Sequence, residues 1–210
     1  MSDCRNKKII VWDLDDVLNN FTEAWLKLGW QVEHPECQIA YGQLRNNPPL
    51  AELGTTRAEY LASLDRFRLS TAAQQLRPNP VLLDWFAREG GRFRHHLLTA
   101  RPVQGVASGA AWVFQHFGRW VRDFHFVPSP RPGESLPDYE TNKAQVLARL
   151  GRVDFFVDDS PENVADAARL GIEAFVFSQP LNQAYLPPSG ILERISGSGV
   201  TSTTRLTLTL

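Results

Sequence analysis

Two carboxylates follow an apolar run near the N-terminus, and their spacing could do chemistry. The stretch reads Ile9-Ile10-Val11-Trp12-Asp13-Leu14-Asp15-Asp16-Val17-Leu18, and a second acidic pair, Asp158-Asp159, ends the run Val153-Asp154-Phe155-Phe156-Val157. A short apolar strand of a parallel sheet is buried, and such sheets bind ligands beyond the carboxyl ends of their strands. If the two strands are neighbours, four or five carboxylates converge. Two like charges about 4 Å apart repel by roughly 4 kcal/mol at an effective dielectric near 20. A chain gathers them only where something offsets the charge, and a hard divalent cation such as Mg²⁺ is the usual offset. Two further residues fall at matching places: Thr99 closes the run His95-His96-Leu97-Leu98, and Lys143 opens a helical segment. The set comprises a nucleophilic carboxylate, an acid/base carboxylate, a hydroxyl donor, a fixed cation and a metal-binding pair. Phosphoryl transfer through a carboxylate needs these parts.

The elements that must position them are legible as alternating patterns. Strand-like apolar runs occur at 8–12, 94–98, 124–127, 155–157 and 174–177, with amphipathic helical segments at 81–88, 103–117, 142–150 and 162–170 between them. Thr141 is placed to cap the third of these helices and Gly151 to end it; Ser160-Pro161 opens the fourth and Gly171 closes it. Strand–helix alternation predicts an α/β fold, a central parallel sheet flanked by helices. One stretch interrupts it. Residues 19–78 carry helical patterns at 21–28 and 57–67 around a Pro- and Asn-rich connection. They read as a small helical cap inserted after the first strand, standing over the strand ends. The core is then 1–18 with 79–186. A Ser-, Thr- and Gly-rich tail at 187–210 reads either as an added edge strand or as a disordered end.

Composition narrows the setting. The chain has 210 residues, 43% hydrophobic and 21% charged, with a formal net charge of −1. That length builds a full core without staples, and that charge makes no electrostatic case for polymeric nucleic acid or an anionic membrane. Cys4 and Cys37 lack a Cys-x-x-Cys spacing, which predicts free thiols in a reducing, cytoplasmic setting. The N-terminal residues show no apolar signal core, and no run approaches transmembrane length.

On these motifs, the chain resembles the haloacid dehalogenase (HAD) superfamily of phosphatases. The resemblance covers residues 8–180 and rests on four motifs in family order: Asp13-Leu14-Asp15-Asp16-Val17-Leu18, Leu97-Leu98-Thr99, Lys143, and Phe156-Val157-Asp158-Asp159. The short helical cap is similar, more narrowly, to that of deoxyribonucleotidase-like members. The resemblance implies a Rossmann-like core and an Mg²⁺-dependent phosphatase acting on a small phosphorylated metabolite of the nucleotide or sugar-phosphate type. Asp13 would attack phosphorus and form an aspartyl-phosphate. Asp15 would protonate the leaving oxygen and then deprotonate water. Mg²⁺ would be held by the Asp13 carboxylate, the Asp15 carbonyl and Asp158, with Asp159 close by. Thr99, Ala100, Arg101 and Lys143 would bind phosphoryl oxygens.

Simpler roles compete for individual residues. Asp16 reads as structural. Arg101 either reaches phosphate or flanks Pro102. A Lys in a first helical turn opposes the helix dipole, which argues that Lys143 has a task. Ser160 and Asn163 read as a helix cap or as residues that orient Asp158-Asp159. His95 and His96 point to opposite sheet faces and make poor joint ligands. His34 and Cys37 have a metal-like spacing without a second pair. Trp25 and Trp30 either line a pocket or anchor the insert's own core. Metal-independent dehalogenases of the superfamily lack the second carboxylate, so Asp15 argues for phosphate chemistry. A phosphonate hydrolase would want a Schiff-base lysine in the cap, where Lys27 stands alone. Response-regulator receivers use similar parts in a different chain order. A catalytically silent HAD-like binding or regulatory protein is the alternative function.

Overall fold

A computed structural model of the chain describes residues 7–137, 139–185 and 190–196. Five parallel strands form one sheet: β1 (Ile9–Trp12), β2 (Arg94–Arg101), β3 (Val121–Pro128), β4 (Phe155–Asp158) and β5 (Glu173–Val176). Their order is β3-β2-β1-β4-β5, so β1 lies at the centre. Ile10 pairs with His95 on one side and Phe155 on the other, and Trp12 with Leu97 and Val157. The helices are α1 (Phe21–Trp25), α2 (Gln31–Glu33), α3 (Leu50–Leu53), α4 (Arg57–Arg68), α5 (Thr71–Gln74), α6 (Pro80–Glu89), α7 (Val106–Phe117), α8 (Lys143–Leu150), α9 (Pro161–Arg169) and α10 (Ile191–Ser196). A π-helical turn, Leu26–Trp30, joins α1 to α2. Among the described residues no helix is long and apolar enough to cross a membrane.

Both sheet faces are covered, which is why the central strands are apolar throughout. Alternate β1 residues take opposite sides. Ile10 and Trp12 join Leu97, Phe155 and Phe175 against Leu82, Trp85 and Phe86 of α6 and Val113 and Phe117 of α7. Val11 joins Leu98 and Phe156 against Val146 and Leu147 of α8 and Ala167 of α9. Residues 19–78 build a third apolar cluster from Phe21, Trp25, Trp30, Tyr41, Leu44, Tyr60, Leu64 and Phe67, with Leu181 entering from the core. Trp25 and Trp30 therefore anchor this cluster. The insert leaves and rejoins the core at one stem, where Asn19 bridges Pro78 and the Asn79 amide donates to the Leu18 carbonyl at 2.7 Å.

Several bounds differ from the sequence reading. β2 runs on through Thr99, Ala100 and Arg101, which pair with Phe126, Val127 and Pro128. β3 starts at Val121, because a sheet-edge strand tolerates polar residues such as Arg122 and Asp123. Asn142, not Thr141, caps α8: its side chain accepts from the Gln145 amide at 3.0 Å, and Lys143 is the first helical residue. Within the segment read as a tail, Ile191–Ser196 is helical and Ile195 is buried in the core. Cys4 and the alternating residues 206–210 lie outside the described residues.

His95 and His96 do face opposite sides. The His95 ring is buried beside Trp12 and Phe86, accepts from Trp12 Nε1 at 3.1 Å and sits 2.9 Å from the Gly90 carbonyl. That network assigns the proton to Nε2. Burial pulls its pKa down to about 4. The unfolded chain takes up this proton near the ordinary value and the folded chain does not. Stability therefore falls as pH drops from about 6.5 toward 4, by on the order of 3 kcal/mol in full. In His95→Gln this dependence disappears. Urea unfolding of both proteins should show their stability gap narrowing from pH 7 to pH 4; a constant gap would refute the assignment.

Candidate active site

Asp13 follows the last residue of β1, and its amide still donates to the Val157 carbonyl at 2.9 Å. This pairing carries the central strand's exit against the end of β4, where Asp158 closes the strand. Lys143, the first residue of α8, reaches between them. Its Nζ lies 2.8 Å from Asp13 Oδ1 and 2.7 Å from Asp158 Oδ2. Asp158 Oδ1 accepts from the Ser160 amide at 2.9 Å and from Asn163 Nδ2 at 3.1 Å. Ser160 also caps α9, so this cap residue helps to orient the acid. Carboxylate oxygens of Asp13, Asp158 and Asp159 lie within 4.8 Å of one another.

Burial makes this a site under electrostatic load. Asp13 is 6% exposed and Asp158 is 0% exposed. Burial pushes the Asp13 carboxyl up to about 6; Lys143 pulls it back, while Asp158 and Asp15 add to the rise. Burial, and then the Asp158 charge, also raises Asp159 well above the carboxylate range. Burial opposes the charge on Lys143, but Asp13 and Asp158 outweigh it and hold the ammonium above its ordinary range. Three carboxylates thus share one positive charge. Close oxygens with a deficit of positive charge fit a hard divalent cation.

The Asp15 carboxylate is turned elsewhere. Its Oδ1 accepts from Arg101 Nη2 at 2.5 Å, and its Oδ2 lies 3.8 Å from Arg68 Nη2. Arg101 is 5% exposed and also donates to the Gly105 carbonyl at 3.3 Å. Space for this guanidinium comes from Gly109 in α7: a Cβ there would stand 2.4 Å from Arg101 Nη1. Arg68 continues the chain of charges, since it lies 3.1 Å from Asp65 Oδ1. Asp65 in turn receives Arg131 Nε at 2.6 Å and Nη2 at 2.7 Å. Alternating charges therefore cross from β2 through the first turn to α4 and the loop after β3.

Asp16 has a structural place. It adopts φ 60°, which aspartate tolerates better than most residues. Its carboxylate accepts from the Thr22 amide at 2.9 Å and from the Thr22 hydroxyl, while its carbonyl accepts from Gln179 Nε2 at 2.6 Å. Burial pushes its pKa up to about 7 against the Thr22 hydrogen bonds. Gln179 also accepts from the Tyr41 hydroxyl at 3.1 Å.

The structure thus brings Asp13, Lys143, Asp158 and Asp159 together and sets Asp15 with Arg101 beside them. Thr99 is buried in β2 without joining the ion pairs, and Ala100 is exposed next to it. The His34 ring stacks on Trp30, with ring centroids 3.9 Å apart, and its nitrogens lie 3.5 Å from Glu36 and 3.8 Å from Glu59, while the Cys37 amide donates to the His34 carbonyl at 2.9 Å. Sequence reasoning missed Arg68, Asp65 and Arg131. Gly109 bears on Arg101 alone, whose guanidinium occupies the space a side chain there would fill.

No protein-family model matches the chain, and no curated protein sequence matches it. Solved structures do. A haloacid dehalogenase-like family hydrolase from Streptococcus pneumoniae is similar over 85% of this chain and 88% of its own, with a TM-score of 0.53 and 12% identity. A HAD-superfamily hydrolase of subfamily IA from Geobacter sulfurreducens is similar over 85% and 90%, with a TM-score of 0.51 and 16% identity. A second hydrolase from Streptococcus pneumoniae is similar over 82% and 94%, with a TM-score of 0.52 and 9% identity. The chain has the haloacid dehalogenase-like α/β fold.

Proposed function

We propose that the protein is an Mg²⁺-dependent phosphatase that hydrolyses a small phosphomonoester through an aspartyl-phosphate. The observation that carries this is the position of Lys143 Nζ, 2.8 Å from Asp13 Oδ1 and 2.7 Å from Asp158 Oδ2 at neighbouring strand ends. A buried ammonium at that place keeps Asp13 in its nucleophilic, ionised form. Asp13 attacks phosphorus, an Asp13–O–P bond forms and the ester P–O bond breaks. The leaving oxygen takes a proton from Asp15. Water then attacks the same phosphorus, Asp15 recovers a proton from it, and phosphate leaves with Asp13 regenerated. Thr99 and Lys143, with Ala100 and Arg101 beside them, bind the phosphoryl oxygens. Asp13, Asp158 and Asp159 would hold the cation through carboxylate oxygens, and Asp15 through its carbonyl. When bound there, Mg²⁺ supplies positive charge that offsets repulsion between carboxylate and phosphate. The substrate is a nucleotide or sugar phosphate, and the setting is cytoplasmic.

Phosphate release from a panel of small phosphomonoesters tests this. Release requires Mg²⁺ and disappears after exhaustive chelation; release that survives chelation would overturn the metal requirement. The arginines on Asp15 favour one other reading, a catalytically silent binding or regulatory protein in which that carboxylate never exchanges protons. In that case Mg²⁺ still raises the melting temperature, but no ester is hydrolysed.

Arg101 also gives a sharp test of Asp15 positioning. Gly109→Ala gains up to about 1 kcal/mol of helix propensity, yet its methyl displaces the Arg101 guanidinium. We expect the overpacked, displaced guanidinium to outweigh that gain and lower the melting temperature modestly, with a fall in kcat of about tenfold to a hundredfold. Equal kcat in the two proteins would show that Arg101 does not set the geometry of Asp15.

A further inference from the structure

Asp15 is the residue that gives a proton to the leaving group, so the leaving group must lie on the Asp15 side of the site. A cleft adjoins that side through Arg68. It begins at Arg68, whose guanidinium is 3.8 Å from Asp15 Oδ2, and at Ala100, the residue after Thr99. Its walls are α4 and the loop that follows β3. The inner part has a cavity volume of about 190 Å³, with Arg57, Tyr60, Arg68 and Arg131 in its lining. Arg57, Leu61, Ser129 and Arg131 also line a wider outer groove of about 720 Å³, which adds Ala58, Ala62, Pro130 and Pro132.

Charge gives this cleft a preference. Three arginines line its inner part. Asp65, at the outer wall, faces two of them, at 3.1 Å from Arg68 and 2.6 Å from Arg131. Asp15 shares Arg68 with it, and Glu134 accepts from the Arg131 main-chain amide at 2.8 Å rather than from its guanidinium. Arg57 is exposed and has no ion-pair partner among the described residues. A cavity of about 540 Å³ beside Tyr41 and Gln179 offers no such bias, because its Lys27 and Glu23 pair with each other at 2.5 Å. Arginine matches carboxylate and phosphate oxygens in a fork geometry, and clustered arginines in a cleft concentrate anions.

We infer that the substrate's leaving group carries a second anionic group, a carboxylate or a further phosphate, which the Arg57–Arg68–Arg131 cleft receives between α4 and the loop after β3. The inference rests on the phosphatase reading above. It also assigns Arg57 as a specificity-determining residue, because its charge is free to meet the ligand. The apolar wall of Leu61, Ala58 and Pro130 then accommodates the body that joins the two anionic groups.

Aryl phosphates separate the second anion from everything else. The wild-type protein with Mg²⁺ should turn over 3- or 4-carboxyphenyl phosphate with a kcat/KM at least about tenfold above that of phenyl phosphate, with the difference mainly in KM. Arg57→Ala should bring that ratio close to one, and Arg57→Glu should invert it. The side chain is exposed, so neither variant threatens the fold. No preference in the wild type, or a ratio that survives Arg57→Glu, would overturn the inference. Should no ester be hydrolysed at all, the phosphatase reading fails and calorimetry decides the cleft by itself. Asp13→Asn protein should still bind the carboxyphenyl phosphates more tightly than phenyl phosphate, and Arg57→Glu in that background should remove the difference. Equal affinities would overturn the cleft assignment.

Discussion

Asp13→Asn should lose phosphate release from every ester by at least about 10³-fold, because an amide oxygen cannot form the covalent intermediate. The same substitution should leave the metal-free fold intact and, above neutral pH, more stable. The wild-type carboxyl is 6% exposed, and burial raises its pKa to about 6. The folded protein therefore binds this proton more tightly than the unfolded chain does. The stabilisation is complete below the ordinary carboxylate value and is lost as pH rises through about 6, on the order of 3 kcal/mol at most. Asparagine has no such dependence. Metal-free melting curves should place Asp13→Asn above wild type at pH 8, with the gap closing toward pH 4. Activity lost while stability rises is a pairing that misfolding cannot produce. Retained release in Asp13→Asn would remove Asp13 as the nucleophile.

The second large effect is expected at Lys143. Lys143→Met keeps the length of the side chain and strips its charge, leaving Asp13 and Asp158 facing each other in a site where Lys143 itself is 4% exposed. Removing one partner of a buried ion pair typically costs 3–5 kcal/mol, and we expect about that loss without metal near pH 8. The deficit should shrink as pH falls toward about 6, because without Lys143 the Asp13 carboxyl is raised further and takes up its proton before the wild-type one does. Mg²⁺ should restore part of the stability, since a cation answers the same deficit. Phosphate release should fall by about 10²–10³-fold even with Mg²⁺ present, because in the proposed mechanism the ammonium also binds the phosphoryl oxygens. Urea unfolding with and without Mg²⁺, run beside turnover, checks both parts. Unchanged stability in Lys143→Met would mean that the two acids do not depend on it.

The acidic motifs could be read from the chain because each sits at the end of an apolar run, and a buried parallel strand has one end at which ligands bind. The fold class followed from the same alternation. Arg68 could not be read in this way. Along α4 it forms an i,i+3 pair with Asp65, the kind of pair any solvated helix carries. Its contact with Asp15 exists only because the insert docks on the core. Arg101 was ambiguous for a related reason: its partner is 86 residues away, and no local pattern encodes that distance. β3 was read too short because an edge strand has polar positions that break the apolar signal. Ile191–Ser196 was read as part of a tail because its surrounding composition hid a single turn and a half of helix, which Ile195 secures in the core.

The central position of β1 also dictates when the site can come into being. The strand beginning at Ile9 pairs with β2 and with β4, and the Ile9 amide donates to Asp154 Oδ2 across 145 residues of chain. During synthesis at about 5–20 residues per second, β1 and β2 are both available roughly 3–12 s before β4 emerges. Over that interval β1 has one open edge, and Asp13 has no acidic neighbour from β4. Lys143 lies ahead of Asp158 in the chain, so the ammonium emerges before the acid that completes its pair. The order of the motifs along the polypeptide thus spares the nascent protein a buried cluster of unanswered negative charge.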